Sequence, residues 1–149
     1  MPIIFKQERV GYNCKLFIIY KFRSLKSDEI TPIYFIGNLI RFLKLDELLN
    51  LFNVINGSMN FIGPRPLKSD YLKYYSKTQI KRHKIKPGLT GLSQVSKKNC
   101  WKKYFQLDLY YLRKKSILLD IFIIFKTLVV IFFLRYKPLR TNERFNGKN

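Results

Sequence analysis

Two acids and one arginine carry the chemical potential of this sequence. Asp46 and Glu47 are adjacent in LDELLNLFNVING, and Arg65 is enclosed by prolines in GPRP. The apolar residues Leu45, Leu48, Leu49, Phe52 and Ile55 recur at helical spacing, so this run predicts a helix with one buried stripe. Asp46 then shares the opposite, polar face with Asn50 and Asn53, while Glu47 projects about 100° away around the axis. Acids so directed take different roles. Prolines on both sides of Arg65 fix φ and favour an extended backbone, which holds a guanidinium in place for phosphate oxygens. Each feature also has a plainer reading: early acids offset a helix dipole, and Pro-Arg-Pro serves as a rigid linker.

The elements that must position these groups begin with a hairpin. Residues 3–10 and 15–23 favour β structure, and Gly11, Tyr12, Asn13 and Cys14 supply turn chemistry between them. Both faces of the second strand are largely apolar, so at least one requires cover from helices or lipid. Lys21 and Arg23 at its end can reach toward the acids or a substrate phosphate. After a polar connection over 24–32, helical character resumes at 37–44 and brings Arg41 near the acids, where a cation keeps a carboxylate ionised and receives phosphate oxygens. Gly57 supplies the left-handed residue that stops the helix near Asn56.

Beyond Pro66, residues 67–85 read as a helix with Tyr71, Leu72, Tyr75 and Ile80 on one face and cations on the other, ending at Lys81, Arg82, His83 and Lys84. His83 among these cations reads as neutral and structural rather than as a catalytic base. Pro87-Gly88 predicts a type II turn, and Lys86, Gly88 and Thr90 in KPGLTG form a loop whose N–H groups can meet a nucleotide phosphate. Residues 101–113 form a helix with Trp101, Tyr104, Phe105, Leu109 and Leu112 on its apolar side and Asp108, Tyr110 and Tyr111 decorating it. The stretch 117–134 is the most hydrophobic, yet Asp120 and Lys126 interrupt it. At roughly 2.5–3.5 kcal/mol for each charge near a bilayer midplane, a membrane-surface or core helix is favoured over a span.

The 149 residues make one domain, with 135–149 expected as a flexible tail. A formal charge of +20 predicts a polyanionic partner, either nucleic acid or an anionic membrane surface. Nucleic acid is disfavoured, because no recognised nucleic-acid motif is present and the cations are spread along the chain. Abundant Lys, Ile, Asn, Phe and Tyr also match A/T-rich codons, as in a low-GC bacterium or an organelle such as a plastid. Two distant cysteines, Cys14 and Cys100, and one histidine suggest neither a zinc site nor a disulfide scaffold, and the chain does not open on a signal-peptide pattern. The fold class expected is α+β, mostly α, with an N-terminal β-hairpin followed by several amphipathic helices and associated with a membrane.

The motifs together resemble the bacterial sugar transferase family, the monotopic phosphoglycosyl transferases that act on polyprenyl phosphates. LDEL, N-V-x-x-G-x-M and IGPRP carry the likeness; PIIFKQERVG, FIIYKFRSL, KPGLTG and the spacing of Asp108, Tyr111, Ser116 and Asp120 follow in the family's order, from residue 2 to about 134. The resemblance implies transfer of a sugar phosphate from a UDP-sugar to a polyprenyl phosphate through a covalent intermediate on Asp46, with Glu47 and Asp46 holding Mg²⁺. It implies phosphate-binding roles for Arg41 and Arg65. Asp108 matches a family acid that binds nucleotide or sugar, or else simply pairs with a lysine. The location implied is the cytoplasmic face of a membrane. The family usually carries a re-entrant membrane helix before the PIIF-like block, where this chain opens, which points to a separate membrane-anchoring polypeptide. Lys44, Leu49 and Ser58 also stand where the family usually has Ser, Pro and an acid.

Overall fold

Alternating residues at the N-terminus pair as expected: β1 (Ile4–Val10) and β2 (Leu16–Phe22) are antiparallel, running from Ile4 opposite Phe22 to Val10 opposite Leu16. The computed structural model describes residues 4–23, 45–96, 100–134 and 145–147. Phe5, Gln7 and Arg9 share the covered face of the hairpin with their partners Lys21, Ile19 and Phe17, and Ile19 is buried. Leu16 and Ile18 on the other face are exposed.

The acid-bearing run is not one amphipathic α-helix. A 3-10 segment, Leu45–Asn50, leads into α1 (Leu51–Ile55), which closes at Gly57 with φ of 79°. Its expected polarity is reversed. Asn50 and Asn53 are 4% and 2% exposed, whereas Phe52 and Ile55 are 63% and 82% exposed. The cause lies on the outer edge of β2, whose backbone groups need partners. Asn50 Oδ1 accepts from Tyr20 N at 3.0 Å, and Asn53 Nδ2 donates to Ile18 O at 3.0 Å. Two amides thus extend the ladder, and satisfying buried backbone groups outweighs the apolar stripe.

A second, parallel pair joins β3 (Asn60–Ile62) to β4 (Gly88–Thr90). The type II turn expected at Pro87-Gly88 does not form: Gly88 begins β4, and among the described glycines only Gly57 and Gly147 have positive φ. Gly88 is required instead by close approach, since a Cβ there would lie 2.0 Å from Gly63 N. Residues 67–85 are likewise not a helix but two 3-10 segments, Ser69–Tyr74 and Gln79–Lys84, separated by an extended Tyr75. Between them Ser76 N donates to Gln79 Oε1 at 2.9 Å and Gln79 N to Ser76 Oγ at 3.2 Å, the reciprocal pattern of a capping box, which starts a new turn.

Three helices complete the order: α2 (Leu92–Val95), α3 (Trp101–Lys114) and α4 (Ile117–Val129), the last running into a π-helical segment, Val130–Leu134. The architecture is therefore α+β, a hairpin followed mainly by helical segments. α3 buries Trp101, Tyr104, Phe105, Asp108 and Tyr111, one continuous stripe, so Asp108 and Tyr111 lie inward and not on a decorated outer face. One aromatic cluster joins Trp101, Tyr104 and Phe105 to Leu67 and Phe145; a second core joins Leu92, Val95, Tyr111 and Ile123. Phe145 is 2% exposed although it falls in the segment expected to fray. Among the described residues no helix is long and apolar enough to cross a membrane.

Candidate active site

Two separate segments converge on Glu47. Lys21 Nζ, from β2, lies 3.0 Å from Glu47 Oε1, and Arg65 Nη2, from the Pro-Arg-Pro segment, lies 2.8 Å from the same oxygen. Burial lowers the Lys21 pKa, opposed by the attraction of Glu47. Glu47 raises that of Arg65 against the effect of burial, helped by Tyr104 and Asp46. Asp46 is therefore within electrostatic reach of the arginine, and its Oδ1 is enclosed. The Arg65 side chain keeps 34% exposure and also reaches Gln94 of α2 at 3.4 Å. Glu47 and the two cations thus line a small open cleft, and Asp46 is next to Glu47 in the chain without itself lining it.

Prolines alone do not hold Arg65. Arg82 Nη2 donates to the Arg65 carbonyl oxygen at 2.7 Å and forms an ion pair with Asp108 Oδ2 at 2.7 Å. Arg82 and Asp108 are each 1% exposed. Burial pulls the Arg82 pKa down, but Asp108, Tyr75 and Tyr104 outweigh it and the net displacement is upward. Asp108 does not line the cleft. Of its two expected roles the pairing one is realised, with an arginine in place of a lysine.

The remaining expected residues divide. Gly88 lines the cleft, but its N–H donates to Pro64 O at 3.0 Å and is not open to a phosphate. Lys86 is half-buried, its ammonium beside Gly57 at the end of α1. Thr90 Oγ1 contacts Thr127 Oγ1 of α4 at 2.8 Å. Arg23 lies over the Phe5 ring, 5.5 Å from its centroid, at the far end of β2. Arg41 lies outside the described residues. His83 is buried with Nδ1 3.1 Å from Gly11 O, and burial followed by the charge of Arg82 lowers its pKa to about 4. It is neutral and structural, as the sequence indicates.

Arg9 and Asn50 also line the cleft, and neither was singled out as a site residue. The signal for Arg9 was available: in a period-2 strand it shares the covered face with Phe5 and Gln7. The signal for Asn50 was absent, because the apolar count assigned its face to solvent. Asp46 and Glu47 provide hard carboxylate oxygens of the kind Mg²⁺ takes, together with water and substrate phosphates. Among the described residues no group of three or more His, Cys, Asp or Glu assembles. The donor set therefore fits an ion that draws most of its ligands from phosphates and water.

A family model described as bacterial sugar transferase matches residues 1–134. The chain belongs to that family. This sugar transferase family member is 38% identical to the uncharacterized sugar transferase EpsL of Bacillus subtilis, across 98% of this chain and 79% of that protein. It is 36% identical to a UDP-glucose:undecaprenyl-phosphate glucose-1-phosphate transferase of Xanthomonas campestris, across 86% of this chain and 31% of the relative. It is also 36% identical to an undecaprenyl-phosphate galactose phosphotransferase of Salmonella typhimurium, across 87% of this chain and 33% of the relative. The chain thus spans about a third of the length of the latter two.

Proposed function

We propose that this chain transfers a sugar 1-phosphate from a UDP-sugar to a membrane polyprenyl phosphate, with Asp46 as the nucleophile. The observation that carries this reading is the convergence of Lys21 and Arg65 on Glu47 beside Asp46. In the first step an Asp46 carboxylate oxygen forms a bond to the β-phosphorus as the bond to the bridging oxygen breaks, and uridine monophosphate leaves with the electron pair. In the second, a phosphate oxygen of the acceptor attacks the same phosphorus and expels Asp46, which regains its carboxylate. Splitting one displacement into two is the advantage of a covalent intermediate. Lys21 and Arg65 reduce the repulsion between attacking and phosphoryl oxygens. A Mg²⁺ held by Glu47 and Asp46 would add the same screening when bound. The reaction would take place at the cytoplasmic face of a membrane, where the chain would lie peripherally.

The test is intact-protein mass spectrometry after brief incubation with UDP-sugars and Mg²⁺ without acceptor. Wild type should gain a phosphosugar adduct and release uridine monophosphate. Asp46→Asn keeps the shape but removes the attacking charge, and should reduce labelling at least a thousandfold. A folded wild type that forms no adduct with any of several donors in liposomes would sink the covalent reading.

A further inference from the structure

Among the described residues the cleft wall carries three cations, Arg9, Lys21 and Arg65, and one acid, Glu47. Lys21 and Arg65 share a single oxygen of Glu47, and Asp46 adds one further negative charge near Arg65. The third cation of the wall, Arg9, forms no ion pair among the described residues: its Nη2 donates to the neutral Gln7 Oε1, and its Nε is enclosed without a hydrogen-bond partner. A buried guanidinium left without an anion is costly. We propose that Arg9 is an anion-binding residue of this cleft, its guanidinium, which no carboxylate of the described residues pairs, held there to receive phosphoryl oxygens.

The charge setting agrees with the geometry. Burial first, and then the positive charge of Arg65, bring the Arg9 pKa down to about 10, with Tyr71, Glu47 and Tyr104 acting the other way. Arg9 stays charged at neutral pH, so the ligand-free cleft retains like-charge repulsion that a bound polyanion relieves. A planar guanidinium at the cleft wall suits charge-assisted contact to phosphate oxygens. The ligand chemistry is an oxyanion of phosphorus, from either the diphosphate of the nucleotide donor or the phosphate of the polyprenyl acceptor. The inference rests on the proposed transferase reading for those two sources, but the anion site itself does not require catalysis.

The test uses the full chain with Arg9→Gln and Arg9→Lys. Inorganic pyrophosphate and uridine diphosphate are titrated calorimetrically, and the melting temperature of each ligand-free protein is measured. Arg9→Gln should bind pyrophosphate at least tenfold more weakly, Arg9→Lys should lose less, and ligand-free Arg9→Gln should melt no lower than wild type. A residue with a purely structural role behaves oppositely, so a melting temperature several degrees lower, or pyrophosphate affinity within twofold of wild type, overturns the proposal. A raised KM for UDP-sugar with an unchanged KM for polyprenyl phosphate assigns the site to the donor, and the reverse assigns it to the acceptor. Wild type that binds pyrophosphate through Arg9 yet transfers no sugar phosphate would overturn the transferase reading and leave the anion site standing.

Discussion

Arg82 shows how a buried residue outside the cleft holds one that lines it. Its guanidinium meets Asp108 on one side and the Arg65 carbonyl on the other, with Tyr75 Oη at 3.3 Å and the rings of Tyr104 and Phe105 beneath it. A buried ion pair is costly to break from one side, because the surviving charge loses its counter-charge. Asp108→Asn should therefore destabilise the fold by roughly 3–5 kcal/mol, measured by denaturant unfolding. The double change Arg82→Met with Asp108→Leu should recover most of that stability. It should still lower transfer activity about tenfold or more, since the Arg65 carbonyl loses its donor and the guanidinium on Glu47 its fixed origin. Equal activity in the double variant and wild type would refute this positioning role.

Contacts between elements show the same dependence on polar partners. The acid-bearing segment is docked on β2 through Asn50 and Asn53, and the Gln79–Lys84 segment is tied to the hairpin connection through His83 and Gly11 O. The second tie makes stability depend on pH. The folded pKa of His83, about 4, lies below its ordinary value of 6.5, so between these limits the unfolded chain binds a proton that the native one refuses. Stability contributed by this site is complete above pH 6.5 and is lost as pH falls toward 4, by on the order of 3 kcal/mol. His83→Asn keeps an N–H donor but does not titrate. Unfolding free energies measured from pH 7 to 4 should show wild type losing this increment relative to the variant, and parallel curves would contradict it.

For the whole molecule, the exposed apolar surface is the dominant fact. Leu48, Phe52, Ile55 and Phe61 are open in and after the acid-bearing segment, and Ile117, Leu118, Ile121 and Phe125 are open along α4, where Ile123 alone is fully buried. Exposed apolar residues in such number mark an interaction surface. The formal charge of +20 adds attraction to anionic lipid, at about 1 kcal/mol for each cation near the surface. The chain is expected to float with liposomes containing anionic lipid at low salt and to release partly as salt rises. Replacing Phe52 and Phe61 with Ser should reduce binding at least fivefold. Protein that stays wholly in the soluble fraction at low salt would overturn membrane association.

Local rules sufficed where the deciding interaction lies close in sequence. The hairpin, the helix over 101–113, the stop at Gly57 and the family motifs around Asp46, Glu47 and Arg65 are all legible in the residues themselves, because strand alternation, turn chemistry and capping act over a few positions. The break at Ser76–Gln79 was legible too, in a short capping pattern that the longer apolar count obscured. Other features required distant partners. Asn50 and Asn53 turn inward because β2 presents an open backbone edge, Gly88 extends because Gly63 crosses it, Asp108 is buried because Arg82 meets it, and Phe145 packs because an aromatic cluster receives it. The sequence by itself determined which groups could do chemistry. Only the tertiary structure decided which of them share a cleft and which hold the others in place, because a buried polar group follows the partner that satisfies it and not the periodicity of its neighbours.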